Sequence, residues 1–254
     1  MRTVFYAGLA CSAFVTQAFA EPSQLIVKEK ERYIRCIALA ESNPRGGYEE
    51  AKAWRDGGSA AMHCSAIALV GLGHYAEAAN ILVALARDPT SGDASMRAQL
   101  YDQAGNAWLL GDQPGNALPL FTTALTLAPH QADMFADRAR ARAMHKDWQG
   151  ADTDLTTALG IDSERADLYV LRASARHAEG MKADARADID RALGIYPDYA
   201  EALVERGTLK LEGGDVAGAR ADWEIVVKAS PDSDAGHTAK QHLMETATLH
   251  PAAH

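Results

Sequence analysis

The chain has 254 residues, of which 48% are hydrophobic and 23% charged, and its formal net charge is −9. This balance belongs to a folded chain and excludes a disordered one. The acidic charge and an aromatic content of only 7% argue against a base-stacking, phosphate-binding surface and against attraction to an acidic membrane.

The first segment, residues 1–20, has one charged side chain, Arg2, then an apolar run from Val4 to Val15, and ends in Ala18-Phe19-Ala20 before Glu21-Pro22. That order of charge, apolar run and small-residue A-x-A site predicts a cleaved secretory signal peptide, with the cut between Ala20 and Glu21. A membrane anchor fits less well, because the run is short of the roughly 20 residues a span needs. A lipid-modified Cys11 fits less well too, because the apolar run continues past it. Loss of Arg2 leaves an exported chain, periplasmic or secreted, with no other stretch able to cross a bilayer.

Residues 21–58 read as a degenerate N-terminal helical unit. A helix over 24–42 puts Ile26, Tyr33, Ile37 and Ala40 on one side, Asn43-Pro44-Arg45-Gly46-Gly47 stops it, and Tyr48–Trp54 forms a second short helix. After cleavage Cys36 and Cys64 are the two remaining cysteines. Two cysteines in an exported chain are expected to pair. Both fall on the first helix of adjacent hairpins, which are neighbours in a stacked array. His63 next to Cys64 lacks the further ligands that a zinc site requires.

From residue 98 onward the sequence repeats every 34 residues. Small residues stand at Gly105, Ala139, Ala173 and Gly207, and alanines at Ala117, Ala151, Ala185 and Ala219. Phe121, Leu155, Ile189 and Trp223 follow, then Ala124, Ala158, Ala192 and Val226, then Pro129, Ser163, Pro197 and Pro231. Small residues let two helices approach, and proline closes each unit because it cannot continue a helix. Each unit therefore reads as a helix hairpin, with turns at Gly111-Asp112, Lys146-Asp147, Gly180 and Gly213-Gly214-Asp215. No stretch alternates with period two, so no strand is expected.

This pattern resembles the tetratricopeptide repeat, through copies at 98–131, 132–165, 166–199 and 200–233. A looser fifth copy at 59–92 carries Gly73-His74-Tyr75-Ala76-Glu77-Ala78, with about five extra residues near Asp88–Ser95 that should form a surface loop. The resemblance implies an all-α, right-handed α-solenoid of helix-turn-helix units. Residues 59–233 make five repeats and residues 234–254 a C-terminal capping helix, Asp234–Thr246, with a frayed tail; caps cover the apolar faces that end repeats leave open.

Arg138, Arg172 and Arg206 also recur every 34 residues, as do Asp154, Asp188 and Asp222, each Arg preceding its Asp by 16. The midpoints fall in the turns, so each pair should meet across its own hairpin. A partly buried ion pair that fixes helix register explains this better than a ladder of ligand contacts. The unit 98–131 carries Ala104 and Leu120 instead.

No phosphate loop, G-x-S-x-G elbow or H-E-x-x-H pair occurs. Gly71-Leu72-Gly73 has no strand before it and no third glycine after it. The expectation is a non-catalytic chain without a cofactor, one that binds a peptide or partner protein in the bacterial cell envelope; the alternative is a structural subunit of a larger envelope assembly. The resemblance further implies a groove lined by the second, fifth, sixth and ninth positions of each repeat. Here these include Gln99, Asp102, Gln103 and Asn106; Asp133, Ala136, Asp137 and Arg140; Asp167, Val170, Leu171 and Ser174; and Glu201, Val204, Glu205 and Thr208. Several relatives in this family are chaperone adaptors that clamp C-terminal carboxylates with Lys and Asn. Asp102, Ala136 and Leu171 stand where that clamp would be, so the activity does not carry over. Six acids against one base suggest a basic or polar peptide, with Val170, Leu171 and Val204 as an apolar patch. Asp133, Asp167 and Glu201 sit in first turns, where acids suit the helix dipole in any case.

Overall fold

The computed structural model describes the backbone of residues 22–247 and the side chains from residue 29 to 247. The signal-peptide expectation, its Ala20–Glu21 cut and the tail after 247 lie outside the described residues. Within them there are thirteen α-helices, one short 3-10 turn and no strand. Five hairpins follow one another: α3 (Gly58–Gly71) with α4 (Tyr75–Arg87), α5 (Ala94–Leu110) with α6 (Pro114–Leu127), and α7 (Ala132–Met144) with α8 (Trp148–Ile161). They continue as α9 (Ala166–Ala178) with α10 (Lys182–Ile195) and α11 (Ala200–Glu212) with α12 (Val216–Ala229). The pair α1 (Pro22–Ser42) and α2 (Pro44–Ala53) precedes them, and α13 (Asp234–Ala247) closes the array. No helix among the described residues is long and apolar enough to cross a membrane.

The second short helix starts earlier than its sequence suggests. Asn43 caps α2, accepting from the Gly46 amide at 3.1 Å, and Pro44 takes the first helical position, where its missing N–H costs nothing. Gly46 and Gly47 are thus helical, and a Cβ on Gly47 would stand 2.7 Å from that of Ala40, so the glycine is what lets α2 lie against α1. Helix α5 likewise starts at Ala94 rather than near 98. The extra residues supply its cap, Asp93, which accepts from the Met96 amide at 2.9 Å.

Each hairpin turn places one residue in the left-handed region: Gly73 (φ 78), Asp112 (φ 55), Lys146 (φ 63), Gly180 (φ 82) and Gly214 (φ 86). Three of the five are glycine, the residue that adopts this conformation without strain.

The core repeats with the chain. Ala117, Ala151, Ala185 and Ala219 are fully buried, as are Phe121, Ile189 and Trp223, with Leu155 2% exposed. The size of each large residue is matched on the helix it faces. Where it is aromatic the small partner is glycine: a Cβ on Gly105 would lie 2.6 Å from Phe121, and one on Gly207 would lie 2.7 Å from Cε2 of Trp223. Where it is aliphatic, as at Leu155 and Ile189, the partner is Ala139 or Ala173. Cys36 and Cys64 are bonded, with their Cα atoms 6.0 Å apart, and tie α1 to α3.

Candidate functional site

First helices touch first helices of the next unit, α5 with α7, α7 with α9 and α9 with α11, whereas successive second helices make no comparable approach. The array therefore curves toward its first helices, and their outward side chains line the concave face.

At its N-terminal end that face carries a chain of hydrogen-bonded side chains. The Tyr33 hydroxyl lies 2.8 Å from His63 Nδ1, and His63 Nε2 lies 2.7 Å from Gln103 Oε1. From the same helix as Gln103, Asn106 Nδ2 donates to Asp137 of the next unit at 2.8 Å and to Asp102 at 3.3 Å, and Arg140 pairs with Asp137. Asp102 Oδ1 is buried and has no hydrogen-bond partner. Burial, the Asp137 charge and a hydrogen bond shared with Asp137 push the Asp102 carboxyl up to about 8, against the pull of Arg140. Two carboxyls so placed disfavour the charged form of Asp102.

The middle of the face is less apolar than its sequence suggests. Val170 is 9% exposed and packs into the core between hairpins rather than into the groove. Leu171 and Val204 remain half-buried, Ser174 is open, and the Thr208 hydroxyl is turned to the Val204 carbonyl at 3.1 Å. At the far end His177 bridges two acids, with Nδ1 2.8 Å from Glu205 and Nε2 3.0 Å from Glu212. Lys182 also reaches Glu212, at 2.6 Å. Burial alone would lower the His177 value, but the two carboxylates outweigh it and hold it above the usual imidazole range.

These contacts revise the charge of the groove. Asp137 is matched by Arg140, Glu205 by His177, and the charged form of Asp102 is disfavoured. The acidic excess counted from the sequence is largely cancelled inside the protein, and what faces a ligand is a mostly neutral, hydrogen-bonding surface.

The repeating charges lie inside the hairpins. Arg138 grips Asp154 with two hydrogen bonds of 2.7 and 2.9 Å, Arg172 grips Asp188 at 2.7 and 3.0 Å, and Arg206 grips Asp222 at 2.8 and 2.9 Å. All three carboxylates are buried. Each has a second cation one turn along the same helix: Arg142 at 3.0 Å, Arg176 at 2.9 Å and Lys210 at 2.7 Å. These second cations recur every 34 residues as well, a signal present in the sequence and absent from the sixteen-residue pairing. At Asp222 burial acts to raise the carboxyl, but Arg206 and Lys210 outweigh it and hold it below the usual range. The matching places in the α5–α6 hairpin hold Ala104, Trp108 and Leu120. Each cluster bridges the two helices of its own hairpin.

No protein-family model matches the chain, and no curated protein matches it either. Solved structures do. A tetratricopeptide repeat protein from Parabacteroides merdae superposes with a TM-score of 0.63 at 16% identity, over 88% of this chain and 93% of that one. A thermophilic TPR protein of Thermus thermophilus, TTC0263, gives 0.58 at 17% identity, over 70% and 95% of the two chains. YrrB, described as a TPR protein with an unusual peptide-binding site, gives 0.53 at 17% identity, over 76% and 97%. Identities this low establish the fold and no more.

Proposed function

We propose that this chain, a tetratricopeptide-repeat solenoid by fold, is a non-catalytic scaffold whose concave face holds a peptide or partner protein outside the cytoplasm. The observation that carries this reading is the concave face itself. Gln103, Asn106, Arg140, Ser174 and Thr208, from four successive units, lie along a surface whose strong charges are already paired within the protein. Such a surface suits an extended polypeptide, which offers backbone and polar side-chain hydrogen bonds over its length. YrrB shares the fold and is described as having a peptide-binding site. Export rests on the residue 1–20 leader pattern, and the bonded Cys36–Cys64 pair supports an oxidising compartment.

The test uses a photo-crosslinking residue in place of Ser174, exposed on the first-helix face, or of Thr157, exposed on a second helix. A polypeptide adduct through position 174 and none through position 157 is the expected result. Adducts only through position 157, or between copies of the chain, would replace this reading with a structural subunit joined by its convex surface. Terminal sequencing of the exported chain should begin at Glu21.

A further inference from the structure

The stacked units depart from their repeat at one corner. Six residues, rather than four, join α4 to α5, and α5 gains a turn at its start. The insertion is held in place: Asp88 accepts from the Thr90 amide at 2.8 Å, and Arg97 Nε donates to the Ala86 carbonyl at 2.7 Å, pinning the start of α5 to the end of α4. The disulfide fixes α1 against α3 on the opposite side. Between them lies a cleft of about 350 Å³. Its floor is Ala60, Leu85 and Leu100, Met96 stands at its mouth, its rim is polar, and no Asp, Glu, Lys or Arg lines it.

We propose that this cleft takes one neutral aromatic side chain bearing a hydroxyl, that of tyrosine, presented by the bound polypeptide; the identity of the presenter rests on the function proposed above. Three features carry the choice. An ionic group would lose its water here and find no counter-charge. A purely aliphatic group would bury the polar rim unpaired, which costs more than the apolar contact returns. A ring with one polar atom satisfies both, and the cleft falls in the size range of sites for small molecules and single large side chains. The polar atom has a prepared partner in Gln103. The Tyr33 hydroxyl and His63 Nδ1 share a hydrogen bond (2.8 Å), and the other ring nitrogen, Nε2, donates to Gln103 Oε1 (2.7 Å). Gln103 is thereby oriented from behind and presents its amide N–H groups to an incoming oxygen. Met96, 48% exposed at the mouth, supplies an adaptable thioether that favours contact with a ring.

Titration of the full chain, disulfide intact, with p-cresol and with toluene tests this by protein NMR. The p-cresol probe should shift the amides of Ala60, His63, Leu100 and Gln103 with a Kd of about 1 mM, as expected for so few atoms, and toluene should bind at least ~5-fold more weakly because it leaves Gln103 unpaired. Ala60→Leu, which fills the floor, should abolish both responses. Gln103→Leu should keep toluene binding and erase the preference for p-cresol, which guards against a loss caused by misfolding in the first variant. Absent shifts at these amides, unchanged binding in Ala60→Leu, or toluene binding as well as p-cresol would overturn the proposal. The probes need no partner, so a failed titration removes the cleft alone, while a failed crosslink at position 174 removes the polypeptide reading alone.

Discussion

Gly207→Ala tests whether the matched sizes of facing residues hold the hairpins at their spacing. The added methyl would stand 2.7 Å from Cε2 of the fully buried Trp223, closer than real side chains approach, and the indole cannot retreat. It donates Nε1–H to the Val204 carbonyl at 3.2 Å and stacks on His242 with ring centroids 4.8 Å apart. Overpacking of this kind costs about 1–3 kcal/mol, while alanine in a helix interior returns up to about 1 kcal/mol over glycine, so the net loss should be roughly 0.5–2 kcal/mol. Trp223→Leu alone should cost roughly 2–4 kcal/mol in lost burial and cavity. The double variant recreates the Ala139–Leu155 arrangement, with the new methyl in space the indole has left. A double-mutant cycle by urea unfolding, followed by far-UV circular dichroism, should give a favourable coupling of about 1–2 kcal/mol. Because end units of a solenoid can open separately, hydrogen exchange in α11 and α12 should report the same order of stabilities. Additive losses, within about 0.5 kcal/mol, would refute the size-matching explanation.

Asp188→Ala should cost about 3–5 kcal/mol, because it strands Arg172 without its carboxylate, while Arg176 keeps Asp152 at 2.6 Å; the triple variant Arg172→Ala, Arg176→Trp, Asp188→Leu, copied from Ala104, Trp108 and Leu120, should recover most of that in thermal unfolding. Lys146→Gly should stabilise by roughly 0.5–1 kcal/mol, as it relieves a left-handed non-glycine residue (φ 63), read from the urea midpoint. Reduction of Cys36–Cys64, which are 28 apart in sequence, should cost roughly 3–4 kcal/mol by chain entropy, and the loss should appear first as faster exchange in α1 and α3. For pH, His177 is raised above its unfolded value of 6.5, so its contribution is complete below about 6.5 and is lost as pH climbs through the folded value; His177→Gln should flatten that part of the stability curve. Asp222 is lowered from 3.8, so its contribution is present above 3.8 and lost as pH falls through the folded value, and Asp222→Asn should remove that acid limb. Asp102, raised from 3.8 to about 8, loses stability across that whole interval as pH rises, and Asp102→Asn should therefore be more stable than the parent at pH 8 in the same melts.

The fold was legible because the interactions that build it are local and repeated. A hairpin brings together residues equidistant from its turn, so a 34-residue beat and a sixteen-residue Arg–Asp spacing translate directly into contacts. Helix starts were legible only where the cap follows the beat. Asn43-Pro44 looks like a stop, since proline ends a helix; it is also a start, since an Asn cap followed by proline at the first position begins one. The same ambiguity hid the extra turn of α5 behind Asp93.

The site was harder to read because its character is set between repeats. Counting charges by repeat position gives an acidic groove, but Asp137 meets Arg140 on its own helix and Asn106 on the preceding one, and Glu205 meets His177 from the unit before. Whether two such groups touch depends on the rotation between units, which no single repeat encodes. Val170 shows the same effect on an apolar residue: it lies at a groove position by count, and the stacking of α9 against α11 draws it into the core. Some of the solenoid's regular positions are therefore committed to holding the array, and the proposed aromatic cleft lies where the repeat is broken. Here the break is the corner of α1, α3 and the 88–93 insertion, where a disulfide, a capped loop and an extra helical turn fix the walls of a cleft. Rigid walls at that place spare a ligand the cost of ordering the loop. For that reason the corner, rather than the charged ladder, is where substitutions should separate partner recognition from stability.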